Sequence, residues 1–126
     1  VFADAVAVNL TGTFNLLRLA AAEMAGAAPD PDRHRGVVLM TASAAAFEGQ
    51  VGQAATGAKG GVVALTLAAA RDLARHAIRV VTIAPGAIAA PMVTGLPDET
   101  IAALAAQVPH PPRLGRPEEF AALVLH

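Results

Sequence analysis

The sequence predicts an α/β domain built on a doubly wound parallel sheet. Two short apolar runs, "GVVLM" and "IRVVTI", alternate with long alanine-rich segments of helical period. Each run ends in small or turn-forming residues, "TAS" and "APG". Strands that alternate with long helices imply parallel crossover units with helices on both sheet faces. The chain has 126 residues, 55% of them apolar, enough for one small domain and too few for two comfortable ones.

Residues 2–26 read as a helix. Leu10, Phe14, Leu17 and Ala21 recur at three- and four-residue spacing, with Arg18 and Glu23 off that stripe, and Gly26 ends it. "AAPDPDRHR" is a polar, Pro-containing loop. "GVVLMTAS" has the pattern of a strand buried on both faces. A second long helix is expected over residues 54–76, carrying Val62, Leu65 and Leu73. "IRVVTIAPG" is the second buried strand, closed by a Pro-Gly turn. Pro97 and Asp98 open a helix through Gln107. "VPHPPRLGRP" is a loop, and Pro117 suits the first turn of a last helix. Two parallel strands make a poor sheet alone, so the chain is expected to be an internal piece of a larger domain.

Composition narrows the function. Net charge is -1, both signs are dispersed, and aromatics make up 3%, so nucleic-acid binding has little support. Without cysteine there is neither a disulfide framework nor a thiolate zinc site. His34, His76, His110 and His126 lack metal-ligand spacing, so no metal is expected. The sequence shows no secretory pattern and no run of 18 apolar residues. A cytoplasmic protein without a membrane partner is the expectation.

Ligands of open parallel sheets bind beyond the carboxyl ends of the strands. Thr41, Ala42 and Ser43 follow the first strand, and Ala84, Pro85 and Gly86 follow the second; both groups are expected at one crevice. Ser43 offers a hydroxyl donor, or is an ordinary strand-end serine. Lys59, the sole lysine beside eight arginines, lies among Gly57, Gly60 and Gly61. Glycines near a helix start cost roughly 1 kcal/mol each, which makes sense where a backbone or ligand approaches closely. Lysine supplies a compact ammonium whose pKa shifts readily. Asn9 sits inside an apolar helix with Gly12 following. It either kinks the helix as a backbone-bonded amide or holds a water for proton relay.

Taken together, "VNLTGTF", a strand ending "TAS", "GQVGQAA", "AKGG" and "IRVVTIAPG" resemble the short-chain dehydrogenase/reductase family, in its order and spacing. The resemblance covers essentially the whole chain. It implies a Rossmann-type sheet, of which residues 1–126 would be the C-terminal portion, without the dinucleotide-binding N-terminal half and the last strand. It implies hydride transfer between nicotinamide and a secondary alcohol or ketone. NAD is the expected cofactor, with NADP left open. A closer match within the family, carried by "ASAAAFEGQVGQAA", "ARDLA" and "QVPHPPRLGRPEEFAALV", suggests a 3-hydroxyacyl-CoA as substrate.

By this resemblance Asn9 holds a relay water and Ser43 hydrogen-bonds the substrate oxygen. Lys59 binds the nicotinamide ribose and lowers the pKa of a catalytic tyrosine. Pro85, Gly86 and Ile88 line the nicotinamide, and Gln50 and Gln53 contact substrate; their plainer reading is loop polarity. Ala90 stands where the family often has threonine. A homo-oligomer through the helices near 2–26 and 54–76 is also implied.

The tyrosine itself is missing: the chain contains none. Four residues back from Lys59 stands Ala55, where the family's Tyr-x-x-x-Lys spacing would put it. Thirteen residues on from Ser43, the closer match's spacing, stands Thr56. A substitution would leave the two spacings in agreement. One tyrosine inserted between Ala55 and Thr56 restores both. Either the polypeptide carries a residue there that the sequence does not show, such as a modified tyrosine, or the deletion is real. In the second case the chain is a catalytically inactive relative that serves as a binding or oligomerisation partner.

Overall fold

The computed structural model describes residues 1–49 and 56–126. The chain divides into two compact units, Val1–Ala84 and Pro85–His126.

The first unit opens with α1 (Phe2–Val6), a π-helical turn (Ala7–Thr11) and α2 (Gly12–Gly26). These form one continuous helix, in which the Gly12 amide reaches back five residues to the Ala7 carbonyl. Such a turn places one extra residue in the helix and is a recognised source of kinks. By length and mean hydropathy the 25-residue stretch Phe2–Gly26 would also suit a membrane span. Here Leu17 and Ala21 are buried, and Leu17 packs into the core. Phe14, placed on the buried stripe by its spacing, is instead 47% exposed. Leu10, in the π turn, packs partly buried against the same core.

Strands β1 (Gly36–Thr41) and β2 (Ile78–Ile83) pair in parallel, from Gly36 opposite Ile78 to Thr41 opposite Ile83. The Ala42 amide continues the ladder to the Ile83 carbonyl. Between the strands lie α3 (Ala45–Glu48) and α4 (Gly57–Ala74). Met40 and Val80 bury one sheet face against Leu17 of α2 and Val62 and Ala69 of α4. Val37 and Val81, on the other face, stay 43% and 44% exposed. The expectation of strands buried on both faces is therefore corrected for this unit. Side chains alternate along a strand, and α2 and α4 both cover the Met40–Val80 side.

The expected helix over 54–76 begins, among the described residues, at Gly57 and ends at Ala74. Ala77, at φ 57°, closes the turn after it. Arg35 ties that turn to the end of α2: its guanidinium donates to the carbonyls of Ala27 and His76.

The second unit holds α5 (Pro91–Thr94), α6 (Asp98–Ala106) and α7 (Pro117–Leu125). α6 and α7 fall where Pro97-Asp98 and Pro117 predict them. The short helices α3 and α5 lack a periodic signature, because four residues make barely one turn.

Candidate active site

In the first unit Lys59 reaches the end of the strand that leads to Ser43. Lys59 lies in the first turn of α4, and its Nζ donates to the Thr41 carbonyl at 2.8 Å, at the carboxyl end of β1. Ser43 follows two residues later, partly buried, and its Oγ accepts the Ala45 amide at 3.2 Å as the chain turns into α3. Partial burial desolvates the Lys59 ammonium and holds its pKa below the ordinary lysine value.

Asn9 occupies the middle of the π turn. Its Nδ2 donates to the Ala5 carbonyl at 3.1 Å, and its own carbonyl accepts the Thr13 hydroxyl at 2.7 Å. The Asn9 amide is thus bonded to the backbone of its own helix, within a local change of helical hydrogen bonding. Its neighbour Leu10 sets the π turn against α4. A Cβ on Gly61 would meet Leu10 Cδ2 at 2.7 Å. This close approach explains one of the three glycines around Lys59. Among the described residues, no atom outside their own stretch of helix lies within 4 Å of such a Cβ on Gly57 or Gly60.

A cavity of about 260 Å³ in the second unit is lined by Gly86, Ala87, Ile88, Val108, Arg113 and Glu119, among others. Ile88 pairs with Gly115 in a short parallel bridge. The Ala89 amide donates to the Gly115 carbonyl at 2.8 Å, and the Gly115 amide to the Ala87 carbonyl at 2.9 Å. Pro85 lies partly buried at the start of this unit. Gln50, Gln53 and the Ala55–Thr56 junction lie outside the described residues.

Sequence reading missed the Arg113–Glu119 pair, in which the guanidinium grips both carboxylate oxygens at 2.9 and 2.6 Å. Thr41 was expected at the crevice, but the group that receives Lys59 is its backbone carbonyl, which every residue carries. The pair had a weak signal in "RLGRPEE", where an arginine precedes a helix start carrying Glu at its third position.

Residues 1–100 match the short chain dehydrogenase family. The chain is 57% identical over 124 residues to 3-hydroxyacyl-CoA dehydrogenase type-2 of Bos taurus, covering 98% of this chain and 48% of that protein. It is 37% identical over 120 residues to the (3R)-3-hydroxyacyl-CoA dehydrogenase of Homo sapiens, covering 94% and 44%. A crystal structure of 3-hydroxyacyl-CoA dehydrogenase type-2 from Mycobacterium avium superposes with a TM-score of 0.94 at 46% identity, over 98% of this chain and 48% of that one. The chain spans about half the length of the curated relatives it matches. The parallel pair β1–β2, the placement of Lys59 and these matches agree: the chain belongs to the short-chain dehydrogenase family.

Proposed function

We propose that the protein is a nicotinamide-dependent oxidoreductase that interconverts a secondary alcohol and a ketone, with a 3-hydroxyacyl-CoA as substrate and NAD or NADP as cofactor. The observation that carries this reading is the Lys59–Thr41 hydrogen bond, which holds an ammonium at the end of β1 two residues from Ser43. Ser43 would hydrogen-bond the substrate oxygen, and Asn9 would hold a relay water. Lys59 would bind the nicotinamide ribose, with Pro85, Gly86 and Ile88 along the nicotinamide. A cavity of about 260 Å³ lined in part by Gly86 and Ile88 supports that placement. When bound, the nicotinamide supplies the hydride acceptor or donor.

The proton requires a base, and a phenol near pKa 10 is too weak one at neutral pH unless a cation stands close. Lys59 is that cation in this proposal, and the tyrosine it serves is the residue absent between Ala55 and Thr56. That absence favours a second reading, a catalytically inactive relative acting as a binding or oligomerisation partner. A real deletion would leave the chain without the phenol that the proposed proton transfer needs.

Two measurements decide. Tandem mass spectrometry of the peptide containing Ala55 and Lys59 reads the junction directly; an additional or modified residue there supports the enzyme, and a direct Ala55–Thr56 bond supports the inactive relative. Assays on 3-hydroxyacyl-CoA and steroid alcohols with NAD and with NADP test the activity. Turnover abolished by Lys59→Ala and by Ser43→Ala is expected, and no turnover with any pair sinks the oxidoreductase.

The proposal extends to the assembly. Val8, Leu16 and Leu19 on the first long helix and Leu67 on α4 are each more than half exposed, which supports a homo-oligomer through these helices. Light scattering tests it. The proposal also takes residues 1–126 as part of a longer dehydrogenase domain and a cytoplasmic location, checked by intact mass and by fractionation.

A further inference from the structure

Glu119, in the first turn of α7, fastens the chain on both sides of Gly115. On one side its two carboxylate oxygens accept the Arg113 guanidinium, whose Nη1 also donates to the Leu114 carbonyl at 3.0 Å. On the other side Glu119 Oε2 accepts the Arg116 amide at 2.7 Å. Gly115 sits between these anchors and pairs with Ala87 and Ala89 across the bridge. No other residue fits there without a shift, since a Cβ on Gly115 would meet Ile88 Cδ1 at 2.5 Å.

We propose that Glu119 is a positioning residue for the Gly86–Ile88 wall: by clipping Arg113, Leu114 and Arg116 it holds Gly115 in register with Ala87 and Ala89. This rests on the reading of Gly86 and Ile88 as the nicotinamide wall. A lone exposed ion pair contributes little. A bidentate pair that also satisfies a backbone amide has a fixed geometry, and geometry is what the bridge requires. Glu119 also lines the cavity beside Gly86 and Ile88, and the role proposed for it is to position that wall. It acts on the wall through Gly115.

The experiment compares wild type with Glu119→Ala, Glu119→Gln and Arg113→Met in the full-length protein. Amide hydrogen exchange at Ala89 and Gly115 reads the bridge, and titration with NADH and NADPH reads the wall. Faster exchange at both amides is expected in Glu119→Ala. The KM for the nicotinamide cofactor should rise about five- to tenfold, while the KM for the alcohol stays within about twofold. Glu119→Gln keeps an acceptor for the Arg116 amide and should fall between the two. Arg113→Met gives a second route should Glu119→Ala fail to fold. Unchanged exchange overturns the clip. Faster exchange with unchanged nicotinamide affinity overturns the positioning role. A wild-type protein that binds neither nucleotide overturns the functional reading, and the proposal with it, while the exchange arm still reports the bridge separately.

Discussion

Leu10 of the π turn lies against Gly61 of α4 so closely that a Cβ on Gly61 would come within 2.7 Å of Leu10 Cδ2 and 3.0 Å of Cδ1. The contact fixes the helix carrying Asn9 against the helix carrying Lys59. Gly61→Ala should therefore displace Leu10, whereas Gly60→Ala meets open space. Both gain helix propensity of about 1 kcal/mol, and only the first loses packing of similar size. Denaturant unfolding should show Gly60→Ala more stable than Gly61→Ala by about 1 kcal/mol, with Leu10→Ala removing most of the difference. Equal stabilities would mean the two helices do not meet at this point.

Ala77 adopts φ 57° at the turn between α4 and β2. A left-handed alanine costs roughly 1–2 kcal/mol from the crowding of its Cβ. Ala77→Gly removes that crowding and adds chain entropy to the unfolded state, so a net stabilisation of about 1 kcal/mol is expected. Thermal unfolding measures it; a lower Tm would contradict the assigned backbone geometry.

Lys59 should titrate below an ordinary lysine because burial desolvates its ammonium. The sign follows from proton counting. The unfolded chain binds this proton more tightly than the folded one, so this group's contribution to stability rises with pH in the window between the two pKa values. NMR of the Lys59 side chain reads the midpoint. A midpoint at or above about 10.4 would contradict the partly buried placement.

Glu119 is held down to a pKa of about 2, first by the Arg113 guanidinium and then by the Arg116 amide. A depressed carboxylate contributes stability that is present above its unfolded pKa and is lost as pH falls through the folded value. The clip should therefore persist through moderate acid and open only near pH 2. A Glu119 carboxyl resonance that titrates at the ordinary glutamate value would show that the pair does not form in solution.

The sequence alone determined what depends on local pattern. Apolar runs bounded by turn residues located both strands, and three- and four-residue periodicity located the long helices. Pro97 and Pro117 announced α6 and α7 because proline suits only the start of a helix. Asn9, Ser43 and Lys59 were singled out by motifs that resemble the family, while the residues by themselves left plainer readings open for Asn9 and Ser43. Only the tertiary structure decided which groups meet. The Thr41 carbonyl that receives Lys59 looks like every other carbonyl until the chain folds. Which sheet face is covered depends on where α2 and α4 pack, and an apolar strand carries the same letters on both sides. Gly61, Gly60 and Gly57 are identical in the sequence, and only the arrival of Leu10 distinguishes one of them. Pattern along the chain encodes secondary structure because the forces there act over a few residues; the contacts that build the site act between residues far apart in sequence.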